Sequence, residues 1–116
     1  DYRRIVNDWM RHNLRKYKPE EWKYYQETEG MAIDHHYFPV IEGFRRMSPP
    51  NIVSHSDNLQ VITVSENSKK NDTIIHEGMP DFLVDELKKP MVLSRVYYDG
   101  PPKRKDKKFL TTRSSK

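Results

Sequence analysis

The stretch Leu59-Gln60-Val61-Ile62-Thr63-Val64 decides the fold class of this chain. Four of its six residues are β-branched, and such side chains favour strands over helices. Residues 65–72 are polar and are interpreted as a loop. Residues 73–76 (Thr-Ile-Ile-His) are then interpreted as the partner strand of a β-hairpin. Because helical patterns lie on both sides of this hairpin, the sequence predicts an α+β fold.

Three helices are expected before the hairpin. The apolar residues of segment 2–17 recur at helical spacing and form one stripe. Pro19 ends this helix and begins a second one, which runs towards Gly30. The third helix is predicted over residues 39–47, before a pair of prolines.

After the hairpin, residues 80–89 are predicted to form a further helix and residues 91–98 a third strand. Three helices followed by a hairpin are compatible with a winged-helix arrangement. Residues 1–100 are therefore expected to form a single small α+β binding domain. The sequence Gly100-Pro101-Pro102 marks the end of this domain. Residues 101–116 are expected to form a flexible basic tail.

Basic residues are concentrated at the two ends of the chain. The whole sequence has a net charge of +4, whereas residues 1–18 carry +4, residues 19–102 carry −6 and residues 103–116 carry +6. Lys and Arg neutralise phosphates, so the ends, and not the acidic middle, are expected to contact RNA or chromatin. The candidate nucleic-acid-binding residues are Arg4, Arg11, Arg15, Arg45, Arg46, Lys103, Arg104, Lys105, Lys107 and Lys108.

Aromatic residues supply candidates for protein contacts. Tyr24 and Tyr25 are neighbours on one predicted helix, so they cannot both face the core equally. An exposed aromatic side chain is well suited to a protein interface. The candidate interface residues are Trp22, Tyr24, Tyr25 and, beyond the basic run of the tail, Phe109.

Several chemistries are excluded or disfavoured. The chain has no cysteine, which excludes disulfides, Cys-ligated zinc and Cys nucleophiles. Its apolar runs are too short to span a membrane. Its four glycines lack the spacing of a phosphate-binding loop. We therefore expect no cofactor, no resident metal and no membrane contact.

Two short clusters hold residue types found in active sites. The triplet Asp34-His35-His36 resembles the Asp-His-His signature of a family of phosphoesterases, which bind divalent metal through it. The resemblance implies a metal-dependent hydrolase, but that family also needs separate Asp-rich motifs and a longer chain. Residues 54–57 (Ser-His-Ser-Asp) hold the residue types of a nucleophilic triad, and we interpret them as a turn.

The charge distribution favours a non-enzymatic binding module of a larger nuclear or ribonucleoprotein assembly. Its body would contact protein subunits, and its basic ends would contact nucleic acid. The alternative is a pure protein-interaction or accessory subunit, in a nuclear or mitochondrial complex, without nucleic-acid contact. A weaker alternative is the hydrolase that uses Asp34, His35 and His36.

Removal of residues 101–116 is expected to weaken RNA binding and to lower its salt dependence. Each phosphate contact that is lost no longer releases counterions on binding. A filter-binding salt titration of the full chain and of the shortened chain measures both quantities. Equal affinity and equal salt slope would exclude a role of the tail in binding.

Overall fold

The computed structural model describes residues 1–103. Six α-helices and one two-stranded antiparallel sheet make up the fold, which is α+β as predicted. A short 3-10 helix, Ser56–Asn58, precedes the second strand. The elements are α1 (Tyr2–Tyr17), α2 (Pro19–Glu27), β1 (Met31–His35), α3 (Val40–Arg46), α4 (Pro50–Val53), β2 (Leu59–Thr63), α5 (Val64–Lys70) and α6 (Asp81–Leu87).

Helix α1 is the longest element, and its apolar stripe faces the core as predicted. The Asp1 side chain accepts a hydrogen bond from the Arg3 amide and caps the helix. Val6 and Leu14 are completely buried on its inner side. The following proline begins α2, where its missing N–H costs nothing in the first turn.

The partner of β2 is β1, not residues 73–76, so this part of the hairpin prediction is wrong. The two strands are antiparallel, with Ile33 opposite Val61 and Asp34 opposite Gln60. Ile33 and Val61 pack against the cluster of Met10, Leu14 and Leu59, which α1 and β2 share. This apolar contact selects β1. Segment 73–76 instead makes a single backbone hydrogen bond to residue 37, from the Ile75 amide.

Residues 65–72 were expected to form a loop, but most of them belong to helix α5. Its first turn has a complete capping box. The Thr63 hydroxyl accepts from the Glu66 amide, and the Glu66 carboxylate accepts from the Thr63 amide. The helix packs against both strands, so a ββα unit lies at the centre of the molecule.

Residues 91–98 do not form the expected third strand. Side chains attach this segment to α3 instead: the Arg95 guanidinium lies 4.2 Å from the centroid of the Phe44 ring, and the Tyr98 hydroxyl donates to the Met47 carbonyl. The winged-helix arrangement is not confirmed either. Strand β1 precedes α3 in the chain and strand β2 follows it, so the hairpin does not come after three helices.

The larger apolar cluster joins α1, α3, α4 and α6. It contains Val6, Phe38, Val40, Val53, Met79 and Leu83. Gly43 lies where three helices meet, since a Cβ atom there would be 2.6 Å from the Tyr2 hydroxyl and 2.7 Å from a Val53 methyl. Within the described residues, none of the helices is both long and apolar enough to cross a membrane.

The side chain of Asn58 links the segment that follows β1 to the segment that precedes β2 through hydrogen bonds. Its Oδ1 accepts from the amides of Tyr37 and Phe38, and its Nδ2 donates to the carbonyls of Phe38 and Val53. The side chain is completely buried. Because an amide side chain has an acceptor oxygen and a separate NH₂ donor with two hydrogens, Asn58 satisfies buried backbone groups on two segments at once.

Replacement of Asn58 by Ala is expected to destabilise the protein by about 3 kcal/mol or more, because it leaves several buried backbone groups without partners. The exposed Asn51, on α4, is the matched control, and Asn51→Ala is expected to change stability by less than about 0.5 kcal/mol. Urea unfolding followed by tryptophan fluorescence measures both. Equal midpoints for the two variants would contradict the role of Asn58.

Candidate functional site

A polar cleft of about 310 Å³ lies between α1, β1 and α5. Helix α1 forms one wall, and the C-terminal half of α5 with the residues after it forms the other. The end of β1 and the start of α3 form its floor. The polar side chains along the cleft are Arg3, Asn7, Asp34, His35, Asn67, Ser68, Asn71 and Asp72.

Asp34 is a buried carboxylate at this cleft. Only 5% of the residue is exposed. Gln60 donates to its Oδ2 at 2.8 Å, and Lys70 lies 3.3 Å from its Oδ1. Gln60 can reach it because strand pairing places the two residues opposite each other. Lys70 comes from the last turn of α5, so this ion pair joins the helix to the strand.

His35 has its two ring nitrogens in different surroundings. The Ser54 hydroxyl donates to the Val6 carbonyl at 2.8 Å, so its single hydrogen is already used. Nε2 of His35 lies 2.9 Å from that hydroxyl oxygen and must therefore donate to it. The neutral ring then carries its proton on Nε2. Nδ1 is then the unprotonated nitrogen of the ring.

The His35 ring is neutral at physiological pH. Burial lowers its pKa to about 4, because the imidazolium would lose its hydration; Asp34 acts in the opposite direction, while Arg3 and Lys70 lower the pKa further. A neutral imidazole can accept a proton or bind a cation through its free nitrogen. His35 is thus a neutral, weakly basic imidazole among the residues that line the cleft.

His36 does not join Asp34 and His35 at the cleft, although the three residues are consecutive. Its ring packs edge-on against Tyr37, with centroids 4.2 Å apart. Its buried Nδ1 has no partner among the described residues. Desolvation lowers its pKa, as it does for His35. The side chain therefore lies outside the set of groups that line the cleft.

The cleft is lined mainly with oxygen and nitrogen donors. In the part of the chain that the structure describes, no three His, Cys, Asp or Glu side chains are grouped to hold a metal ion. The donors present are the carboxylates of Asp34 and Asp72 and the amide oxygens of Asn67 and Asn71. Mg²⁺ prefers such oxygen ligands, and it commonly uses one or two carboxylates together with water and substrate phosphate.

The structure separates the candidate nucleic-acid residues into two groups. Arg4, Arg11, Arg15 and Lys103 line one groove beside α1. Arg45 and Arg46 lie on α3, where both form salt bridges to Glu42, and the Arg46 side chain is only 10% exposed. The remaining candidates, Arg104, Lys105, Lys107 and Lys108, lie outside the described residues.

The candidate interface aromatics also differ in exposure. Tyr24 is 51% exposed, whereas Tyr25 is partly buried and stacks against Trp22 at a tilt. Trp22 packs against the cluster of Met10 and Leu14. Tyr24 is therefore the exposed aromatic that the pair was expected to contain, and Phe109 lies outside the described residues.

Sequence reasoning missed Ser54 and Asn67 as site residues, and Asn58 as the residue that holds the site together. Asn67 was placed in a loop, but the Thr63-x-x-Glu66 pattern is a helix-start signal that would have placed it on a helix. The sequence holds no such signal for Ser54, since its role depends on α1 and β1 meeting in space.

Comparison of the chain with models of known protein families, with curated proteins and with solved structures finds no match.

Acidification is expected to destabilise the protein between pH 6.5 and about 4 through His35. In this window the unfolded chain binds a proton at His35 and the folded chain does not, so the stability present above pH 6.5 is lost as the pH falls. His35→Gln keeps a donor for Ser54 but cannot be protonated. Its unfolding free energy should fall less between pH 7 and pH 4.5 than that of the unmodified chain, and an equal loss in both would contradict this assignment.

Proposed function

We propose that this protein is a divalent-metal-dependent hydrolase of nucleic-acid phosphodiester bonds, with His35 as the general base. The observation that carries the proposal is a neutral His35 ring, anchored through Nε2 to Ser54, among the residues that line a cleft with oxygen donors. The sequence favoured a binding module without catalysis and ranked a hydrolase lower. The arrangement around His35 reverses that order.

His35 is held in the orientation that a general base needs. Its Nε2–H is anchored by Ser54, which is itself anchored by the Val6 carbonyl of α1. Such a chain fixes both the tautomer and the direction of the ring, as the partner of a catalytic histidine does in other hydrolytic sites. In this proposal the unprotonated Nδ1 takes a proton from a water molecule in the cleft, as a base that burial weakens by lowering its pKa.

Asp34 and Asn67 are the residues best placed to hold the cation. Asp34 supplies a buried carboxylate from β1, and Asn67 supplies an amide oxygen from the facing helix α5. A bound Mg²⁺ would polarise the phosphate and stabilise charge on the leaving oxygen. Lys70 now neutralises Asp34 and would have to share that carboxylate with the cation.

The reaction follows from these roles. The oxygen of water forms a bond to phosphorus, and the bond from phosphorus to one ester oxygen breaks. One water proton moves to Nδ1 of His35. The leaving alkoxide takes a proton from solvent, and His35 returns its proton to solvent at the end of the cycle, so atoms and charges balance.

The basic surroundings favour a polyanionic substrate. Arg3 lines the cleft itself, and residues 1–18 carry a net charge of +4. Phosphodiesters of DNA and RNA are the common substrates that combine a hydrolysable diester with a continuous negative charge. The expected nuclear location, with a mitochondrial alternative, is compatible with such a substrate and stays a prediction.

A binding module without catalysis is the second candidate. The observation that favours it is the ion pair of Lys70 with Asp34, which already satisfies the carboxylate that the hydrolase needs for its cation. In this case the protein would bind RNA or chromatin and other subunits, and the cleft would serve only as a phosphate contact. The choice between the two is made by a measurement of turnover.

Hydrolysis of bis(p-nitrophenyl) phosphate in Mg²⁺ or Mn²⁺ tests the proposal, because this small diester needs only the cleft. The unmodified chain should release nitrophenolate, and chelation of the metal should stop the reaction. Asp34→Asn is expected to lower the rate through weaker metal binding. His35→Gln is expected to lower the turnover number by about 10²–10⁴-fold, the usual effect of losing a general base.

Asp57→Asn and His76→Gln are the matched controls, because both residues are exposed and neither lines the cleft. These two variants should hydrolyse the diester at the unmodified rate, and circular dichroism should show that all four variants are folded. A folded His35→Gln variant with full activity would exclude His35 as the base. No metal-dependent turnover of the diester by the unmodified chain would favour the binding module.

A further inference from the structure

A second basic surface lies on α1, beside the cleft. Arg4, Arg11 and Arg15 project from one side of the helix, and Gly100 to Lys103 cover the edge of that side. Together they form a groove of about 530 Å³, which we call the α1 groove. Asp8 is the one acidic residue among its lining residues, and it pairs with Arg11 at 3.1 Å.

The cleft and the α1 groove lie on different sides of the same helix, α1. Successive residues of an α-helix are rotated by about 100°. By this rotation Asn7 lies between the direction of Arg3, which lines the cleft, and that of Arg11, which lines the groove. The consecutive residues Arg3 and Arg4 line the cleft and the groove respectively, so the two sites have arginines on neighbouring sides of α1.

The α1 groove has a net positive charge along the path that the backbone of a nucleic acid would follow. Four cationic side chains line it against the single carboxylate of Asp8. The pKa of His12, which lines the groove, is lowered, first by desolvation and then by the charges of Arg15 and Lys16. Arg4 and Arg15 are separated along the helix axis by about 16 Å, the length of several base steps.

Trp22 adds an aromatic surface to the far end of the groove. Its ring is partly exposed and lies 6.0 Å from the Arg15 guanidinium. Single-stranded nucleic acids bind to surfaces that combine cations for the phosphates with aromatic rings for the bases.

We infer that the α1 groove binds the sugar–phosphate backbone of a single-stranded polynucleotide and directs one phosphodiester into the cleft. Arg4, Arg11, Arg15 and Lys103 contact the phosphates, and Trp22 stacks on a base. This inference rests on the proposed hydrolase function for its catalytic consequence. Its binding consequence can be measured without any turnover.

The test is fluorescence anisotropy with a labelled single-stranded oligonucleotide of about 20 nucleotides, longer than a typical single-strand binding site. Metal is chelated, so that only binding is observed. The variant Arg4→Gln/Arg11→Gln/Arg15→Gln is expected to bind on the order of 10- to 100-fold more weakly. Its plot of log affinity against log salt should lose about 2 units of slope, because three phosphate contacts are removed at about 0.7 each.

The matched control is Lys23→Gln/Lys69→Gln/Lys88→Gln, which removes the same charge from exposed positions outside the α1 groove. This control should keep most of the affinity and of the salt slope. Trp22→Leu keeps an apolar side chain against Met10 and Leu14, and it should weaken binding several-fold without changing the slope. Equal losses in the arginine and lysine variants would overturn the inference, since only the total charge would then matter.

Hydrolysis of bis(p-nitrophenyl) phosphate separates this inference from the proposed function. The arginine variant should hydrolyse the small diester at the unmodified rate and lose cleavage of the oligonucleotide. If it keeps both activities, the α1 groove does not deliver the substrate and the hydrolase proposal stands. If the unmodified chain hydrolyses neither compound but the arginine variant still loses binding selectively, the groove stands and the hydrolase proposal fails.

Discussion

The hydroxyl of Ser54 is the point on which both the fold and the candidate site depend. It donates to the Val6 carbonyl of α1 and accepts from Nε2 of His35 on β1, while the Ser54 carbonyl accepts from Asn13. The residue is completely buried. Three segments that are far apart in sequence are thus joined through one small side chain, and the same bonds determine which nitrogen of His35 is free.

Two further polar connections hold the ββα unit around that point. Asn58 fixes the chain that leaves β1, and the ion pair between Asp34 and Lys70 fixes α5 on the strands. Breaking a buried ion pair or a buried amide network is costly, because the remaining partner loses water without a replacement. The site is therefore positioned by the same polar groups that give the small apolar core its orientation.

The sequence predicts the parts of this fold that depend on local pattern. The stripe of α1, the proline at the start of α2 and the β-branched run of β2 are all visible in it. The pairing of the strands is not visible in the sequence, because the choice of residues 31–35 over residues 73–76 depends on apolar contacts with α1. Asp34 and His35 were recognisable as a chemical cluster, whereas the separation of His36 from them follows from its packing against Tyr37.

We propose that His35 presents its unprotonated Nδ1 to the cleft, and two-dimensional NMR of the ¹⁵N-labelled imidazole tests this directly. At neutral pH the spectrum should show the tautomer with hydrogen on Nε2, and added Mn²⁺ should broaden the His35 signals before those of His76. A His35 ring protonated on Nδ1, or one that Mn²⁺ affects no more than the exposed His76, would contradict the account.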